Sequence, residues 1–362
     1  MKKIGILTFT NTINYGALLQ AFALQTILAE NGFCAEILPY TNEDIKRKEL
    51  NQGKNRRSLK GLLKSVVMGN ALERKREAFD AFERKYITQG ITLDSEREGA
   101  DADTALDAIN EYYDYFITGS DQVWNLNITH GDWHYFLDFV KEEKKILSYA
   151  PSFGNVPFPE DQYEKAAEYL KRFKAVSVRE ESGREKVKLI CGRDAKVVID
   201  PTLLLSKSYW ETMTEFVPPV QHYILVYFPH NKKLTFDFVK DLKRKTGLPV
   251  VYLSISPKVQ SGVKTIYDAS PEAFLGWFKN ADYIVTGSFH GVAFSLNLEK
   301  QFFYEPCGEG SRIGNLVHMC GVEDRSIEVA DMNTKVDYKK VRALLSDFRQ
   351  DSLNWLLNAL RR

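Results

Sequence analysis

The amino-acid sequence predicts an α/β protein built of two Rossmann-like domains that face a cleft. Three observations support this fold class. The chain of 362 residues exceeds the usual size of a single hydrophobic core. In both halves, short β-branched segments alternate with helical patterns, which is typical of parallel sheets. A stretch over 202–219 without a clear element ends in two prolines, and we therefore place the domains at 1–205 and 206–335.

The first half reads as repeated strand–helix units. A strand over 3–9 is followed by a polar turn over 11–16, a helix over 17–30 and a strand over 34–38 that ends before Pro39. Because a βαβ unit carries its helix between two strands, these strands are expected to pair in parallel. Further elements are predicted in the order strand, strand, helix, strand and strand, over 114–118, 146–149, 160–173, 175–178 and 196–199.

A basic helical insertion over about 42–86 interrupts this alternation. No acidic residue occurs between Asn51 and Glu73, and apolar residues recur at helical spacing after Ser58, a possible N-cap. Two interpretations remain open. The helix either packs on its own domain with a solvated basic face, or contacts an anionic membrane surface peripherally through the segment Lys54–Lys64.

The second half repeats the α/β pattern and ends in a helix. Strands are predicted over 223–228, 250–254, 283–286 and 302–304, with helices between them. The last segment, 336–362, carries apolar residues at helical spacing and is expected to form a long amphipathic helix. Packing of this helix back across the first domain is one placement that its apolar stripe allows.

Composition and charge narrow the class of protein. With Lys+Arg at 49 and Asp+Glu at 48, the chain has almost no net charge and therefore no overall positive potential that would attract nucleic acid. No apolar run reaches the roughly 20 residues that a bilayer crossing needs. The polar residues at 10–12 come too early for a secretory signal, and the four cysteines lack metal-like spacing. We expect a soluble cytoplasmic protein. Peripheral contact with the inner face of the plasma membrane is compatible with this expectation.

Four strand-to-helix turns are the candidate binding positions, because ligands of open parallel sheets bind beyond the carboxyl ends of the strands. The turn at 286–291 is the most informative. Gly287 permits a tight turn, Ser288 can cap the helix, and the amides that follow would form an anion cradle. His290, in the first helical turn, either exchanges a proton with a substrate near neutral pH or only hydrogen-bonds a neighbouring loop.

Two arginines are candidate anchors for an anionic substrate. Arg179 follows a strand, and its planar guanidinium suits a carboxylate or phosphate, although an ion pair with the adjacent Glu180 is the competing interpretation. Arg312 follows a glycine-rich loop that could reach the cleft. Asp121 and Asp200 also end strands, where capping and turn formation are the alternatives to chemistry.

Several classes of site are absent from the sequence. His130 and His134 have one-face helical spacing, but Gly131 between them weakens a helix, so no metal is predicted. There is no Walker loop, no dinucleotide-binding glycine fingerprint and no nucleophile elbow. These absences argue against a P-loop NTPase, a dinucleotide dehydrogenase and an ordinary serine hydrolase, and no cofactor is predicted.

Five motifs occur in an order that resembles the polysaccharide pyruvyl transferase family. The resemblance covers roughly residues 1 to 305, and the ordered set is more specific than any single motif. The motifs lie at Asn14–Gln20, Thr118–Trp124, Ser177–Glu180, Ile199–Thr202 and Thr286–Gly291.

The resemblance implies a fold similar to the two-domain (GT-B-like) glycosyltransferases and a transferase that makes cyclic pyruvate ketals. The donor would be phosphoenolpyruvate. The acceptor would be a sugar diol of a cell-surface polysaccharide, such as capsule or exopolysaccharide, or of its lipid-linked precursor. The family's histidine matches His290 and its arginine matches Arg179. Substrate binding is assigned to these turns and loops, at Asn14, Tyr15, Gly16, Gly119, Ser120, Asp121, Arg179, Ser288, Phe289, Gly291 and Arg312.

One position departs from the family pattern. The residue two before the histidine is often arginine in the family and is Ser288 here. Either Arg312 supplies the missing charge or the donor or acceptor differs. Two other functions stay open beside pyruvyl transfer, namely a nucleotide-sugar glycosyltransferase and a non-catalytic sugar-binding relative.

Overall fold

The computed structural model describes the backbone of residues 1–42, 59–93, 100–255, 260–306, 308 and 310–361, and their side chains except those of 59–68 and 100–103. Within this part of the chain, the first sheet has the strand order β2-β1-β3-β4, and each neighbouring pair is parallel. Its strands are Lys3–Leu7 (β1), Cys34–Ile37 (β2), Tyr115–Thr118 (β3) and Ile146–Ser148 (β4).

A short parallel pair extends this first sheet. It consists of Ser177–Val178 (β5) and Lys196–Val197 (β6), and a bridge between Leu147 and Ala175 connects it to β4. Because all these strands run parallel, the carboxyl ends of β3, β5 and β6 lie at the same edge of the sheet. That edge holds the turns that the sequence marks as candidate binding positions.

The second sheet has the order β11-β10-β7-β8-β9, and its neighbouring strands are also parallel. Its central strands are buried along their length, as expected for a sheet covered on both faces. The strands are Ile224–Tyr227 (β7), Val250–Leu253 (β8), Lys264–Ile266 (β9), Tyr283–Thr286 (β10) and Gln301–Tyr304 (β11).

Helices cover both sheets. In the first half they are Tyr15–Glu30 (α1), Leu59–Tyr86 (α2), Ala100–Tyr112 (α3), Leu126–Thr129 (α4), Tyr163–Arg172 (α5) and Glu181–Cys191 (α6). After the first sheet follow Pro201–Leu204 (α7), Lys207–Thr212 (α8), Lys232–Thr246 (α9), Pro271–Asn280 (α10), Phe289–Asn297 (α11), Arg312–Cys320 (α12) and Tyr338–Arg361 (α13).

The connection between the sheets corrects one sequence prediction. The stretch 202–219 was expected to contain no regular element, yet it holds most of α7 and all of α8. Each of these short helices starts at a side-chain cap: Asp200 accepts from the Thr202 amide, and Ser206 accepts from the Tyr209 amide. Helices of four and six residues are too short to show the hydrophobic periodicity on which the sequence prediction depended.

The remaining predicted elements are found with small shifts at their ends. β1 ends at Leu7 rather than at residue 9, and α1 begins at Tyr15, two residues early. The helix α3 and the edge strand β9 were not predicted. In the insertion, α2 confirms a helix after residue 58, whereas Ser58 and the basic positions of Lys54–Lys64 lie outside the described side chains.

The C-terminal helix α13 contacts the end of the first half. The backbone amide of Ile199 donates to Ser352 Oγ at 3.1 Å, and Arg349 Nε donates to the Leu203 carbonyl at 2.7 Å. The exact domain boundaries stay an interpretation. None of the helices in the described ranges combines the length and the apolar character that a membrane crossing requires.

Candidate active site

The candidate active site lies where the edge of the first sheet meets the helix α11 of the second domain. Arg179 follows β5 and is almost completely buried. Its Nη1 donates to Asp200 Oδ2 at 2.9 Å, and its Nη2 lies 3.3 Å from Asp121 Oδ1. The competing interpretation of Arg179, a structural ion pair, is therefore partly right, but the main partners are two carboxylates distant in sequence rather than Glu180.

Asp200 is the hub of this cluster. One carboxylate oxygen accepts from the amide and hydroxyl of Thr202, at 2.9 and 2.7 Å, and so caps α7. The other oxygen accepts from Arg179 and, at 3.2 Å, from Ser120 Oγ. The sequence analysis left capping and turn formation open beside a chemical role for this residue. The structure adds an electrostatic role, because the second oxygen faces the cleft partner His290.

His290 enters the cluster from the second domain. Its Nε2 lies 3.6 Å from Asp200 Oδ2, which is longer than a hydrogen bond but close enough for an ion pair with a protonated imidazole. On its other side the ring rests on Gly16: a β-carbon at position 16 would lie 2.1 Å from Nδ1. The side chain is therefore held between a carboxylate and a bare α-carbon, both from the first domain.

The start of α11 is the helix N-terminus for which the sequence predicts an anion cradle. Ser288 is the N-cap, and its Oγ accepts from the Gly291 amide at 3.3 Å. The centroid of the Phe289 ring lies 4.5 Å from the guanidinium carbon of Arg179, so the ring forms a cation–π contact with the buried cation. The first turn of α11 contains no acidic residue, so the positive end of its dipole is not neutralised by the helix itself.

Arg312 reaches the same cleft from the N-terminus of α12. With the Gln122 amide turned so that its oxygen faces the guanidinium, this oxygen accepts from both terminal nitrogens of Arg312, at 3.1 and 3.2 Å. The positive charge of Arg312 also favours the ionised forms of Asp121 and Glu180, and this contribution acts to lower the pKa of each. The second arginine therefore connects the two domains beside the first.

The electrostatics of the cluster lower the pKa of two carboxyl groups and raise that of a third. Burial raises the pKa of Asp121, but Arg179, His290 and Arg312 together bring it below its usual value. Burial likewise opposes ionisation of Asp200, but His290 and Arg179 hold its pKa well below the usual range. Glu180 differs: burial raises its pKa above the ordinary value despite the nearby arginines.

Three fully buried polar atoms in this cluster have no hydrogen-bond partner among the described residues. They are Arg179 Nε, Glu180 Oε2 and His290 Nε2. Since buried polar groups are almost always satisfied, unsatisfied donors and acceptors gathered at one place are typical of a site that binds a polar ligand. In the described ranges, no group of three or more histidine, cysteine or acidic side chains has the arrangement of a metal site.

Comparison with known proteins identifies the family. The model of the polysaccharide pyruvyl transferase family matches residues 14–305, which is most of the chain and includes every element of the cluster except Arg312. The chain belongs to this family. It is therefore a transferase, and an acceptor of polysaccharide type is consistent with the family.

The similarity to solved structures supports the fold alone, because the sequence identities are low. A glycosyltransferase from Rickettsia africae has a TM-score of 0.51 and 11% identity, covering 99% of this chain and 94% of that one. A UDP-GlcNAc 2-epimerase from Neisseria meningitidis, bound to UDP-GlcNAc, has a TM-score of 0.50 and 12% identity, covering 97% and 91%. The predicted GT-B-like architecture of two Rossmann-like domains facing a cleft is confirmed. No curated protein sequence matches.

Some residues assigned to substrate binding in this pyruvyl transferase family member have packing roles in the structure. Tyr15 is buried between the domains, where its hydroxyl donates to the Ala269 carbonyl at 2.6 Å. Gly119 and Gly291 leave no room for a side chain, since a β-carbon would lie 2.3 Å from the Tyr149 carbonyl oxygen and 2.2 Å from Thr286 Oγ1, respectively. Whether these residues also touch substrate stays a prediction.

The other assigned residues surround Asp200 or the cleft. Asn14 is exposed and caps α1 by accepting from the Gly16 amide at 2.9 Å. Ser120 is fully buried, and its amide donates to Gln20 Oε1 at 2.9 Å. Gln122 was missed by the sequence analysis, although it directly follows Asp121 in a motif that had been singled out. Its contact with Arg312 could not be read from local spacing.

Proposed function

We propose that this protein transfers the pyruvyl group of phosphoenolpyruvate to two hydroxyl groups of a sugar, forming a cyclic pyruvate ketal and releasing phosphate. The observation that carries the proposal is the meeting of His290 with Asp200 and Arg179 at an anion cradle between two domains. Phosphoenolpyruvate carries a carboxylate and a phosphate, so it requires oriented donors and a group that moves protons.

The charges of the cluster leave a bound anion to be balanced by a further group. Asp121 and Asp200 have lowered pKa values and nearly balance the two arginines, so an added phosphate needs another positive charge. His290, whose Nε2 lies 3.6 Å from Asp200 Oδ2, is placed to supply it when its ring carries a proton. The cradle amides of α11 would then hold the phosphate oxygens.

The reaction balances in protons and bonds. The methylene carbon of phosphoenolpyruvate takes a proton from a general acid and becomes the methyl group, which leaves a cation at the central carbon. A sugar hydroxyl attacks this carbon, and its proton restores the general acid. The bond from that carbon to the phosphate oxygen then breaks. A second hydroxyl attacks and closes the ring, and its proton leaves with phosphate. His290 is assigned as the group that donates to the departing phosphate and accepts from a hydroxyl.

A feature of the second domain argues against a nucleotide-sugar donor. Glu305, which follows β11, accepts from the amides of His230 and Asn231 at 2.9 and 3.0 Å and from the Thr235 hydroxyl. A carboxylate of the protein thus already occupies the N-terminus of α9, where a diphosphate would otherwise find donors.

Phosphate release from phosphoenolpyruvate, with a panel of nitrophenyl hexosides and lipid-linked disaccharides as acceptors, tests the proposal. We expect His290→Ala to lower turnover by about 10² to 10⁴-fold, as for loss of a positioned acid or base. The matched control is His222→Ala, because His222 is exposed and pairs only with Asp282 on the surface. Turnover of His290→Ala equal to that of His222→Ala would refute the catalytic assignment.

Ligand-dependent thermal stability separates the candidate donors without an acceptor. A ligand that binds only the native state raises the midpoint of unfolding, so phosphoenolpyruvate should raise it and UDP, GDP and CMP sugars should not. Stabilisation by a nucleotide sugar alone would favour a glycosyltransferase. Mass spectrometry of the acceptor identifies the ketal, and its absence despite donor binding would indicate a non-catalytic relative.

A further inference from the structure

A buried lysine of the insertion helix lies against Tyr15, the residue before the glycine on which the His290 ring rests. Lys75 on α2 is 1% exposed, and it is the one buried lysine among the residues whose exposure the structure describes. An ammonium group away from water requires compensation. At Lys75 part of it comes from aromatic faces, because the rings of Tyr15, Tyr267 and Phe79 have their centroids 4.7, 5.0 and 5.8 Å from Nζ.

The three rings come from different parts of the fold. Tyr15 starts α1 in the first domain, Phe79 is one helical turn from Lys75 on α2, and Tyr267 follows β9 in the second domain. The ammonium therefore attracts a ring from each domain at once. We call the set of Lys75, Tyr15, Tyr267 and Phe79 the aromatic cage.

Tyr15 is fixed on its other side as well. Its ring stacks on Phe274 of α10 with centroids 4.5 Å apart and an angle of 14° between the planes. Its hydroxyl donates to the Ala269 carbonyl at 2.6 Å. The stacked ring, the hydroxyl hydrogen bond and the cation–π contact together restrict the position of Tyr15, the residue before Gly16.

Gly16 transmits this position to the active site. Its α-carbon forms the surface on which the His290 ring rests, since a β-carbon there would lie 2.1 Å from Nδ1. A displacement of Tyr15 therefore moves the wall of the histidine pocket. We propose that Lys75 is a positioning residue for His290, acting through the aromatic cage, Tyr15 and Gly16.

The experiment compares two neighbouring residues of one helix. Lys75→Met keeps the length of the side chain and removes the charge, whereas Lys75→Arg keeps a cation that can face aromatic rings. Arg74→Gln is the control. Arg74 forms a largely exposed ion pair with Asp268, 2.6 Å between the charged atoms, in the same interdomain region but outside the cage.

Kinetics on the proposed donor should separate positioning from binding. We expect Lys75→Met to lower kcat by about 10²-fold, because a displacement of about 1 Å can have that effect, while KM for phosphoenolpyruvate changes by less than about threefold. Lys75→Arg should recover at least about tenfold of the loss, and Arg74→Gln should match the wild type. A kcat for Lys75→Met within about twofold of the wild type would overturn the proposal.

The kinetic test rests on the proposed function. A second measurement, of the histidine NMR signals, does not depend on it. In an NMR spectrum of the histidine ring Cε1–H groups, the signal lost in His290→Gln is that of His290. It should move in Lys75→Met and stay in Arg74→Gln, while the signals of the exposed His222 and His318 stay in both and report an intact fold. An unmoved His290 signal in Lys75→Met would refute the positioning role even if the enzyme had no activity on phosphoenolpyruvate.

A variant on the partner side covers the case in which Lys75→Met does not fold. Tyr267→Leu removes one ring of the cage and keeps the lysine and the contacts of Tyr15 with Phe274 and Ala269. Its kcat should fall in the same direction by about tenfold, with the His290 signal displaced. A wild-type kcat and an unmoved signal in Tyr267→Leu would equally overturn the proposal.

Discussion

The α-carbon of Gly16 forms one wall of the pocket that holds the imidazole of His290, and the two residues belong to different domains. The opposite wall is the carboxylate of Asp200, 3.6 Å from Nε2. Both walls come from the first domain and the histidine from the second. The geometry of the candidate site in this family member therefore depends on how the domains meet, and Gly16→Ala tests that dependence directly.

Gly16→Ala should reduce activity, and overpacking against the buried His290 ring should lower stability by about 1–3 kcal/mol. Alanine favours a helix by up to about 1 kcal/mol over glycine, but its β-carbon would displace the His290 ring. We expect kcat to fall about 10²-fold in the phosphate-release assay. Gly69→Ala on α2 is the control, because its β-carbon would meet none of the described atoms within 4 Å, and it should retain wild-type activity. Equal activity of the two variants would show that the imidazole tolerates displacement.

Asp200→Asn should affect both stability and catalysis. The amide keeps an oxygen for the Thr202 cap but loses the charge that faces Arg179 and His290, leaving a buried guanidinium with less compensation. We expect a loss of about 3 kcal/mol in the free energy of unfolding, measured with urea, and a fall of about 10²-fold or more in kcat. Asp194→Asn, which breaks an exposed pair with Arg184, should change stability by less than about 1 kcal/mol. Similar stabilities of the two variants would contradict the hub role.

Arg312→Gln should weaken donor binding. A charge-assisted hydrogen bond contributes about 1.5–3 kcal/mol, so calorimetry should show a Kd for phosphoenolpyruvate raised at least about tenfold. The control is Arg342→Gln on α13, whose side chain pairs with Glu299 on the surface. If Arg312→Gln binds the donor as tightly as the control does, the missing charge at Ser288 is not supplied by Arg312.

Glu83→Gln should change how stability depends on pH. Glu83 faces a small, mostly apolar pocket lined in part by Phe9, Leu18 and Ile87, and burial, with a smaller contribution from Asp80, raises its pKa to about 7. The unfolded chain ionises this group near pH 4, so the contribution of Glu83 to stability falls as pH rises from about 4 to about 7 and is level above that range.

The variant lacks this ionisation and should therefore be more stable than the wild type at pH 8, by about 2 kcal/mol, and not at pH 4. Glu77→Gln on the exposed face of the same helix should follow the wild-type profile. Urea unfolding at several pH values measures the difference. A stability gap between Glu83→Gln and the wild type that is independent of pH would contradict the prediction.

Local sequence was sufficient for most of the sheet and for the position of the site. Strands such as β3, β7 and β10 are continuous apolar runs bounded by small polar residues, and a turn after a parallel strand lies at the edge where ligands bind. His290 and Arg179 could be named because their neighbours in sequence form such turns. The short helices α7 and α8 could not be predicted, because their one or two turns carry no period.

By itself, the sequence determined the α/β class, the order of the strands along the chain and the turns that carry the site, since adjacent residues encode these through propensity, capping and alternation. Only the tertiary structure decided that Asp200 pairs with Arg179 and faces His290 besides capping a helix, and that Lys75 is buried among rings of both domains. Those contacts join segments far apart in the chain, and their formation depends on how the two sheets pack together, which no local pattern records.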